Sequence, residues 1–183
     1  MIGWKPQFTN PQVASVRYRC LNPLAELRQR HFPVELFTLE SLAKYSAVIF
    51  SKSYDEKSYD LAKEIKGKGI KIIFDLCDNH FYNPCALKKF DLVRIRLMKM
   101  LELADFVVTS TEELARTILA EAQLLSTPAV IGDAIEKEDF LVPQSRLGKV
   151  LGAFRAKEPS SSETATILWY GIHGGENAPY GML

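Results

Sequence analysis

Short apolar runs alternate along most of this chain with segments whose apolar residues follow helical spacing. The runs at 47–50 (AVIF), 71–74 (KIIF) and 106–108 (FVV) are almost entirely apolar. Such runs are typical of parallel strands that are buried on both faces of a sheet. Strands that alternate with helices are joined by right-handed crossovers. The pattern therefore predicts an α/β fold built on a doubly wound, Rossmann-like parallel sheet.

Six strands and four helices are predicted. The strands cover residues 1–4, 34–39, 47–50, 71–76, 106–109 and 129–131. The helices cover residues 16–30, 55–66, 84–104 and a segment for which Thr111 is the N-cap. Pro23 interrupts the first helix, and either kinks it or begins a new helix with Asn22 as its cap. Gly67 and Gly69 are expected to end the second helix.

Composition changes towards the C-terminal end and predicts three parts. Residues 1–136 are expected to form the Rossmann-like domain. Residues 137–166 contain Pro143, Pro159 and the tract PSSS, which are typical of a linker or surface segment. Residues 167–183 combine a strand pattern (ILWY) with several glycines. We expect this last segment to open a second domain that is truncated at Leu183.

Charge and cysteine content exclude several classes of protein. The chain has 183 residues, with 23 Lys and Arg against 22 Asp and Glu, so no basic field indicates nucleic acid. Three cysteines give an odd count, which favours a reducing, cytoplasmic environment over a disulfide framework. No signal peptide is visible, and no run approaches the roughly 20 apolar residues of a membrane span.

The densest polar cluster follows the strand at 71–76, where ligands of such sheets bind. It contains Asp75, Cys77, Asp78, Asn79 and His80. One interpretation is a turn rich in Asp and Asn, and another is a polar loop that faces a ligand. No spacing supports a metal site. As ligand groups, the aspartates would accept hydroxyl hydrogen bonds and His80 would position or polarise a substrate. Cys77 and Cys85 are expected to be buried or half-buried thiols.

Three basic residues lie near the same predicted edge. Lys52 follows the third strand and is either a solvated loop residue or a ligand for phosphate or sugar oxygens. Arg17 and Arg19 flank Tyr18 in the first helix, and helical geometry is taken to place Arg17 closer to the sheet. A partly buried Arg17 needs an internal carboxylate or a ligand phosphate as its partner.

The predicted helix at 84–104 carries an excess of basic residues. They are Lys88, Lys89, Arg94, Arg96 and Lys99. Leu92, Ile95 and Met98 widen its apolar surface beyond one stripe. These residues form either a solvated basic face or a surface that contacts an anionic membrane peripherally.

Several of these segments resemble, in order, the N-terminal half of GT-B glycosyltransferases of the retaining group-one or family-four type. Residues 104–114 (ADFVVTSTEEL) are similar to its A-D-x-V-x-x-x-S/T-E-x-L segment, and residues 129–136 (AVIGDAIE) to its crossover between domains. Residues 14–19 with Pro23, 47–52, 73–81 and 167–183 are the other similar segments. Gly132 and Ala134 replace the usual proline and glycine of the crossover.

The resemblance implies transfer of a sugar from a nucleotide-sugar to a glycan or lipid-linked acceptor, without a metal or other cofactor. It implies that this chain shapes the acceptor side, with Asp75, Asp78 and His80 as catalytic groups. The implied substrate-binding residues are Arg17, Arg19, Lys52, Asn79, Ser110 and Glu112. Gly171, Gly174 and Gly175 would form the turn for the donor diphosphate. The remaining donor residues would follow Leu183, so we expect the isolated chain to be inactive. The alternative is a non-catalytic α/β binding module that lacks donor binding.

Overall fold

Six parallel strands form one sheet in the order β2-β1-β3-β4-β5-β6. The computed structural model describes residues 1–82, 88–124 and 126–134. All five neighbouring strand pairs are parallel, which confirms the predicted α/β, Rossmann-like sheet. The strands are β1 (Ile2–Pro6), β2 (Val34–Leu36), β3 (Ala47–Ser51), β4 (Lys71–Leu76), β5 (Phe106–Thr109) and β6 (Ala129–Val130).

Helices connect these strands on both faces of the sheet. The helices are α1 (Ala14–Val16), α2 (Asn22–Gln29), α3 (Glu56–Gly67), α4 (Lys88–Leu103) and α5 (Glu112–Glu121). A π-helical turn, Arg17–Leu21, joins α1 to α2, and a short 3-10 turn, Leu42–Lys44, precedes β3. Within the described residues, none of the helices has the length and apolar content needed to cross a membrane.

The residues predicted to begin and end helices make the expected capping hydrogen bonds or adopt the expected backbone conformation. Asp55 accepts a hydrogen bond from the Ser58 backbone N–H, at 3.1 Å, and so caps α3 rather than forming its first residue. Thr111 caps α5 in the same way by accepting from the Leu114 backbone N–H at 3.2 Å. Beyond α3, Gly69 adopts a φ of 80°, a left-handed conformation that costs glycine little.

The two faces of the sheet have separate apolar cores. On one face, α3, α4 and α5 cover the central strands, and Phe50, Phe74, Leu97 and Ile118 are fully buried. On the other face, α1 and α2 cover the region of β1 and β2 with a smaller cluster. Its buried members are Trp4, Cys20, Leu24 and Val34. The alternation of side chains along each strand assigns neighbouring residues to different cores.

Several predicted boundaries differ from the structure. β1 extends to Pro6, and β2, an edge strand, stops at Leu36, where its pairing with Ile2–Trp4 of β1 ends. The helix predicted from residue 16 begins at Ala14 and contains the π-helical turn. In that turn the Asn22 backbone N–H donates to the Arg17 carbonyl, directly before Pro23, which has no N–H to donate. The helix predicted over 84–104 is described from Lys88 to Leu103.

The proposed linker and second-domain segment cannot be compared with these elements. Residues 137–166 and 167–183, with Gly171, Gly174 and Gly175, lie outside the described residues. Both assignments remain predictions from the sequence.

Candidate site at the carboxyl edge of the sheet

Lys52 and Asp78 form an ion pair at the carboxyl ends of β3 and β4. Lys52 adopts a φ of 51°, which costs a non-glycine residue on the order of 1 kcal/mol or more. Its backbone N–H donates to the Asp75 carbonyl at 2.8 Å, which ties the turn to β4. Burial is the largest single influence on the pKa of Asp78 and raises it, but the hydrogen bond and charge of Lys52, with smaller contributions from His80 and Cys77, together lower that pKa below its ordinary value. The pair therefore presents an ionised carboxylate and an ammonium at one edge.

His80 lies beside this pair and is joined to Tyr54. Its Nδ1 and the Tyr54 hydroxyl share a hydrogen bond of 2.5 Å, and its Nε2 lies 3.9 Å from the Asp78 carboxylate. The Tyr54 ring packs edge-on against Phe74, with ring centroids 6.1 Å apart. Burial, together with the charge of Lys52, lowers the pKa of His80 to about 4. The imidazole is therefore neutral at pH 7, and it is suited to hydrogen bonding rather than to general acid catalysis.

Stability should fall as the pH is lowered through the window between the two pKa values of His80. The unfolded chain binds a proton at His80 near pH 6.5, whereas the folded chain binds it only near pH 4. Between these values protonation favours the unfolded state, with a full loss of about 3 kcal/mol. Urea denaturation at several pH values measures this loss. His80→Gln should flatten the curve in this window.

The exposed His31 provides the control for this measurement. His31→Gln should retain the fall in stability that the wild-type chain shows in the same window. Carboxylates whose pKa is lowered, such as Asp78 and Asp105, lose their contribution at lower pH, below their ordinary value of 3.8. A His80→Gln curve that keeps the full fall above that value would contradict the assignment.

Arg19 and Asp75 form a second ion pair, which is buried. Their side chains are 6% and 4% exposed. Two guanidinium nitrogens of Arg19 donate to the Asp75 carboxylate, and one of them, Nε, lies 3.3 Å from its acceptor oxygen. A third donates to the Ile131 carbonyl at 2.5 Å. Burial raises the pKa of Asp75, and the hydrogen bonds from Arg19 and Ser51 oppose that rise.

The predicted orientation of the two arginines was wrong. Arg17 is partly exposed and donates to the Pro11 and Gln12 carbonyls, whereas Arg19 points to the sheet. Val16, Cys20 and Leu24 are buried and recur every four residues. Arg19 lies three residues after Val16, on the same helical face. The spacing alone does not separate the two arginines, because Arg17 lies three residues before the buried Cys20. The π-helical turn over Arg17–Leu21 changes the angle between successive side chains, and the sequence did not predict it.

The other predicted ligand residues lie at the same edge but have different contacts. The Ser110 hydroxyl donates to the Cys77 carbonyl at 3.3 Å, which links the ends of β4 and β5. Asn79 is exposed, and its side chain accepts from the Phe81 backbone N–H at 3.1 Å. Glu112 is exposed at the start of α5, and within the described ranges no hydrogen bond or ion pair joins it to Lys52, Asp78 or His80.

Burial keeps two of the thiols protonated. It raises the pKa of both Cys20 and Cys77 to about 12, with nearby carboxylates as a further cause. The two thiols are free; Cys20 is fully buried, and Cys77 is half-buried, as the sequence predicted for it. Cys85 lies outside the described residues. In the part of the chain that is described, no three metal-ligating side chains converge.

A polar cluster that the sequence did not predict lies on the face of the sheet that α3 covers. Lys5 donates to the Ser53 and Ser58 hydroxyls at 2.7 and 2.9 Å, and the Ser58 hydroxyl donates to Asp55. Burial lowers the pKa of Lys5, and the charge of Asp55 opposes this. The cluster ties β1 to the first turn of α3. Its one sequence signal is Lys5 itself, a charged residue that continues a buried strand.

An apolar cavity of about 110 Å³ lies on the α1–α2 face of the sheet. Trp4, Tyr18 and Ile49 contribute to its walls, and the Arg19–Asp75 pair supplies its polar groups. The Trp4 indole N–H is satisfied by the Ser51 hydroxyl, at 2.8 Å. The cavity therefore suits a small apolar group more than a sugar hydroxyl.

Neither a protein-family model, nor a curated protein, nor a solved structure matches this chain.

Proposed function

We propose that this chain supplies the acceptor side of a GT-B glycosyltransferase of the retaining group-one or family-four type. The order of the similar sequence segments supports this proposal, and so does the parallel Rossmann-like sheet. The observation that carries it is the Lys52–Asp78 pair beside Tyr54 and His80, at the carboxyl edge. Ligands of open parallel sheets bind at this edge.

The chemistry of these groups suits a ligand that is rich in hydroxyls. A sugar hydroxyl both donates and accepts, so its site needs carboxylate acceptors beside ammonium or N–H donors. Asp78 supplies an ionised acceptor, and Lys52 supplies a donor. His80 is neutral at pH 7 because burial lowers its pKa to about 4, so we assign it a positioning role. In the proposed reaction the acceptor oxygen bonds to the sugar carbon, the bond from that carbon to the nucleotide diphosphate breaks, and the proton of the acceptor hydroxyl passes to a phosphate oxygen of the departing diphosphate.

A binding module without catalysis is the second candidate. Two observations favour it. The charged groups of the site are already paired, Lys52 with Asp78 and Arg19 with Asp75. The low pKa of His80 also makes it a weak base at neutral pH. A module of this kind would bind a glycoside through the same edge and would transfer no sugar.

Ligand-observed NMR of the full chain with a panel of methyl glycosides tests the shared part of both candidates. We expect at least one glycoside to bind, and Asp78→Asn to weaken it roughly ten-fold or more, since hydrogen bonds to charged groups contribute about 1.5–3 kcal/mol. Asp60→Asn is the matched control, because Asp60 is exposed on α3. Binding that Asp78→Asn leaves unchanged would remove this edge as the acceptor site.

Radiolabelled sugar transfer separates the two candidates. The chain is incubated with a nucleotide-sugar and the bound glycoside, alone and together with a donor-binding half from another GT-B enzyme. We expect no transfer by the chain alone, and transfer that depends on Asp78 in the mixture. Glycoside binding without transfer in either case would support the binding module.

A further inference from the structure

The outer face of α4, formed by Asp91, Leu92, Ile95, Met98, Lys99 and Glu102, points away from the sheet. Leu97, Met100 and Leu101 fill the inner face and are buried in the core. On the outer face, Leu92 is 55% exposed and Ile95 is 51% exposed, whereas Met98 lies at its edge, partly buried against the core. Exposed apolar side chains of this size on adjacent helical turns form a surface that a partner can cover.

The residues of the outer face are arranged so that they complement a second copy of the same helix running in the opposite direction. Leu92 and Met98, both apolar, lie three residues before and three residues after Ile95. Asp91 and Lys99, which carry opposite charges, lie four residues before and four residues after it. The sequence extends this series at seven residues, where Lys88 precedes and Glu102 follows. A two-fold axis through Ile95 would bring each residue opposite its reflected partner, as in any isologous interface.

We propose that two copies of this chain associate through antiparallel α4 helices, with the two-fold axis at Ile95. Ile95 then meets its counterpart, Leu92 packs against Met98 of the second copy, and Asp91 pairs with Lys99 in both directions. A parallel arrangement would place Asp91 opposite Asp91 and Lys99 opposite Lys99, which is unfavourable. The charges thus select one orientation.

Two further basic residues of α4, Arg94 and Arg96, have acidic partners within the chain. Arg94 pairs with Glu121 at 2.7 Å, and Arg96 lies 3.7 Å from Glu56. The Lys99 ammonium lies 5.6 Å from the centre of the Tyr59 ring, which holds it at the border of the outer face. These acidic partners, with Asp91 and Glu102, reduce the attraction of this helix for an anionic membrane. A surface of mixed charge favours a protein partner instead.

Charge reversal at the two paired positions provides a sharp test. Sedimentation velocity of the full chain should show an average mass that rises with concentration towards that of a dimer. Asp91→Lys alone places two lysines opposite each other, and Lys99→Asp alone places two aspartates opposite each other. Each variant should weaken association roughly ten-fold or more, because favourable pairs are replaced by repulsive ones.

Mixing the two variants should restore association. In the mixed dimer the position changed by Asp91→Lys in one copy faces the position changed by Lys99→Asp in the other. The unchanged Lys99 of the first copy faces the unchanged Asp91 of the second, so both pairs again join opposite charges. Asp60→Lys, with the same charge change on exposed α3, should associate like the wild-type chain. Circular dichroism checks that every variant is folded. A wild-type chain that stays monomeric, a mixture that does not recover, or vesicle binding without self-association would overturn the proposal.

Discussion

Replacing Arg19 with alanine should lower the free energy of unfolding by about 3–5 kcal/mol, because it leaves a buried carboxylate without its partner. Asp75 lies on a central strand, 4% exposed, and receives two hydrogen bonds from Arg19. Arg19 also binds the Ile131 carbonyl, so the variant loses a link between α1–α2 and the end of β6. Urea denaturation followed by circular dichroism measures the loss.

The stability of the Arg19→Ala variant should also depend on pH. Burial raises the pKa of Asp75, and Arg19 opposes the rise. Without Arg19 the folded-state pKa should increase further above the unfolded value of about 3.9. Such a group stabilises the fold below its unfolded pKa, and that contribution is lost as the pH rises through the folded pKa. Arg19→Ala should therefore be least stable at neutral pH and recover in mild acid.

Arg17→Ala is the matched control, since Arg17 lies two residues away and bonds the Pro11 and Gln12 carbonyls near the surface. We expect it to cost about 1 kcal/mol or less. The double variant Arg19→Met with Asp75→Leu should recover most of the lost stability, because apolar residues replace buried ion pairs at little cost. If Arg19→Ala lowers the free energy of unfolding no more than Arg17→Ala does, the buried Arg19–Asp75 pair does not stabilise the α1–α2 face.

Replacing Phe74 with alanine should also cost about 3–5 kcal/mol, the range for emptying a buried phenylalanine site. Phe74 is fully buried on β4 under the α3–α4–α5 layer. It also supports the candidate site, because the Tyr54 ring packs edge-on against it and Tyr54 in turn bonds His80. The variant should therefore affect both the stability of the fold and the titration of His80.

Phe106→Ala provides the comparison on the neighbouring strand, since Phe106 is 56% exposed. It should cost about 1 kcal/mol or less. Phe74→Leu keeps most of the volume and should remain folded, which allows an NMR titration of His80. We expect the His80 pKa to rise from about 4 towards 6.5 as Tyr54 loosens and water reaches the ring. An unchanged pKa in Phe74→Leu would mean that Phe74 does not position Tyr54.

The central strands could be predicted because burial on both faces leaves a continuous apolar run. β3 and β4 are such strands, and their bounds agree closely with the pattern. β2 could not be bounded in this way. Phe37 and Leu39 continue its apolar composition, but the pairing of this edge strand with β1 ends at Leu36, followed by one further hydrogen bond from the Phe37 backbone N–H to the Trp4 carbonyl. Composition alone does not distinguish an apolar loop residue from a strand residue at an edge.

The site was predicted as a region but not as a set of contacts. Parallel strands end at one edge, so the segments around Lys52 and Asp78 could be placed together from topology alone. The pairing of Tyr54 with His80 joins residues 26 positions apart, and no sequence spacing encodes it. Alternation along β4 explains why Asp75 faces the core under α1–α2, whereas Asp78 lies beyond the strand and reaches Lys52.

Trp4 and Lys5 are consecutive residues of β1, and their side chains lie on opposite faces of the sheet. The Trp4 indole bonds Ser51 on the face under α1–α2, and the Lys5 ammonium bonds Ser53 and Ser58 on the face under α3. A slip of one residue in the pairing of β1 would exchange these two side chains between the faces. It would place an ammonium against the apolar cavity and an indole between two serines. Insertions or deletions within β1 should therefore disrupt the fold far more than insertions or deletions in the loops on either side of it.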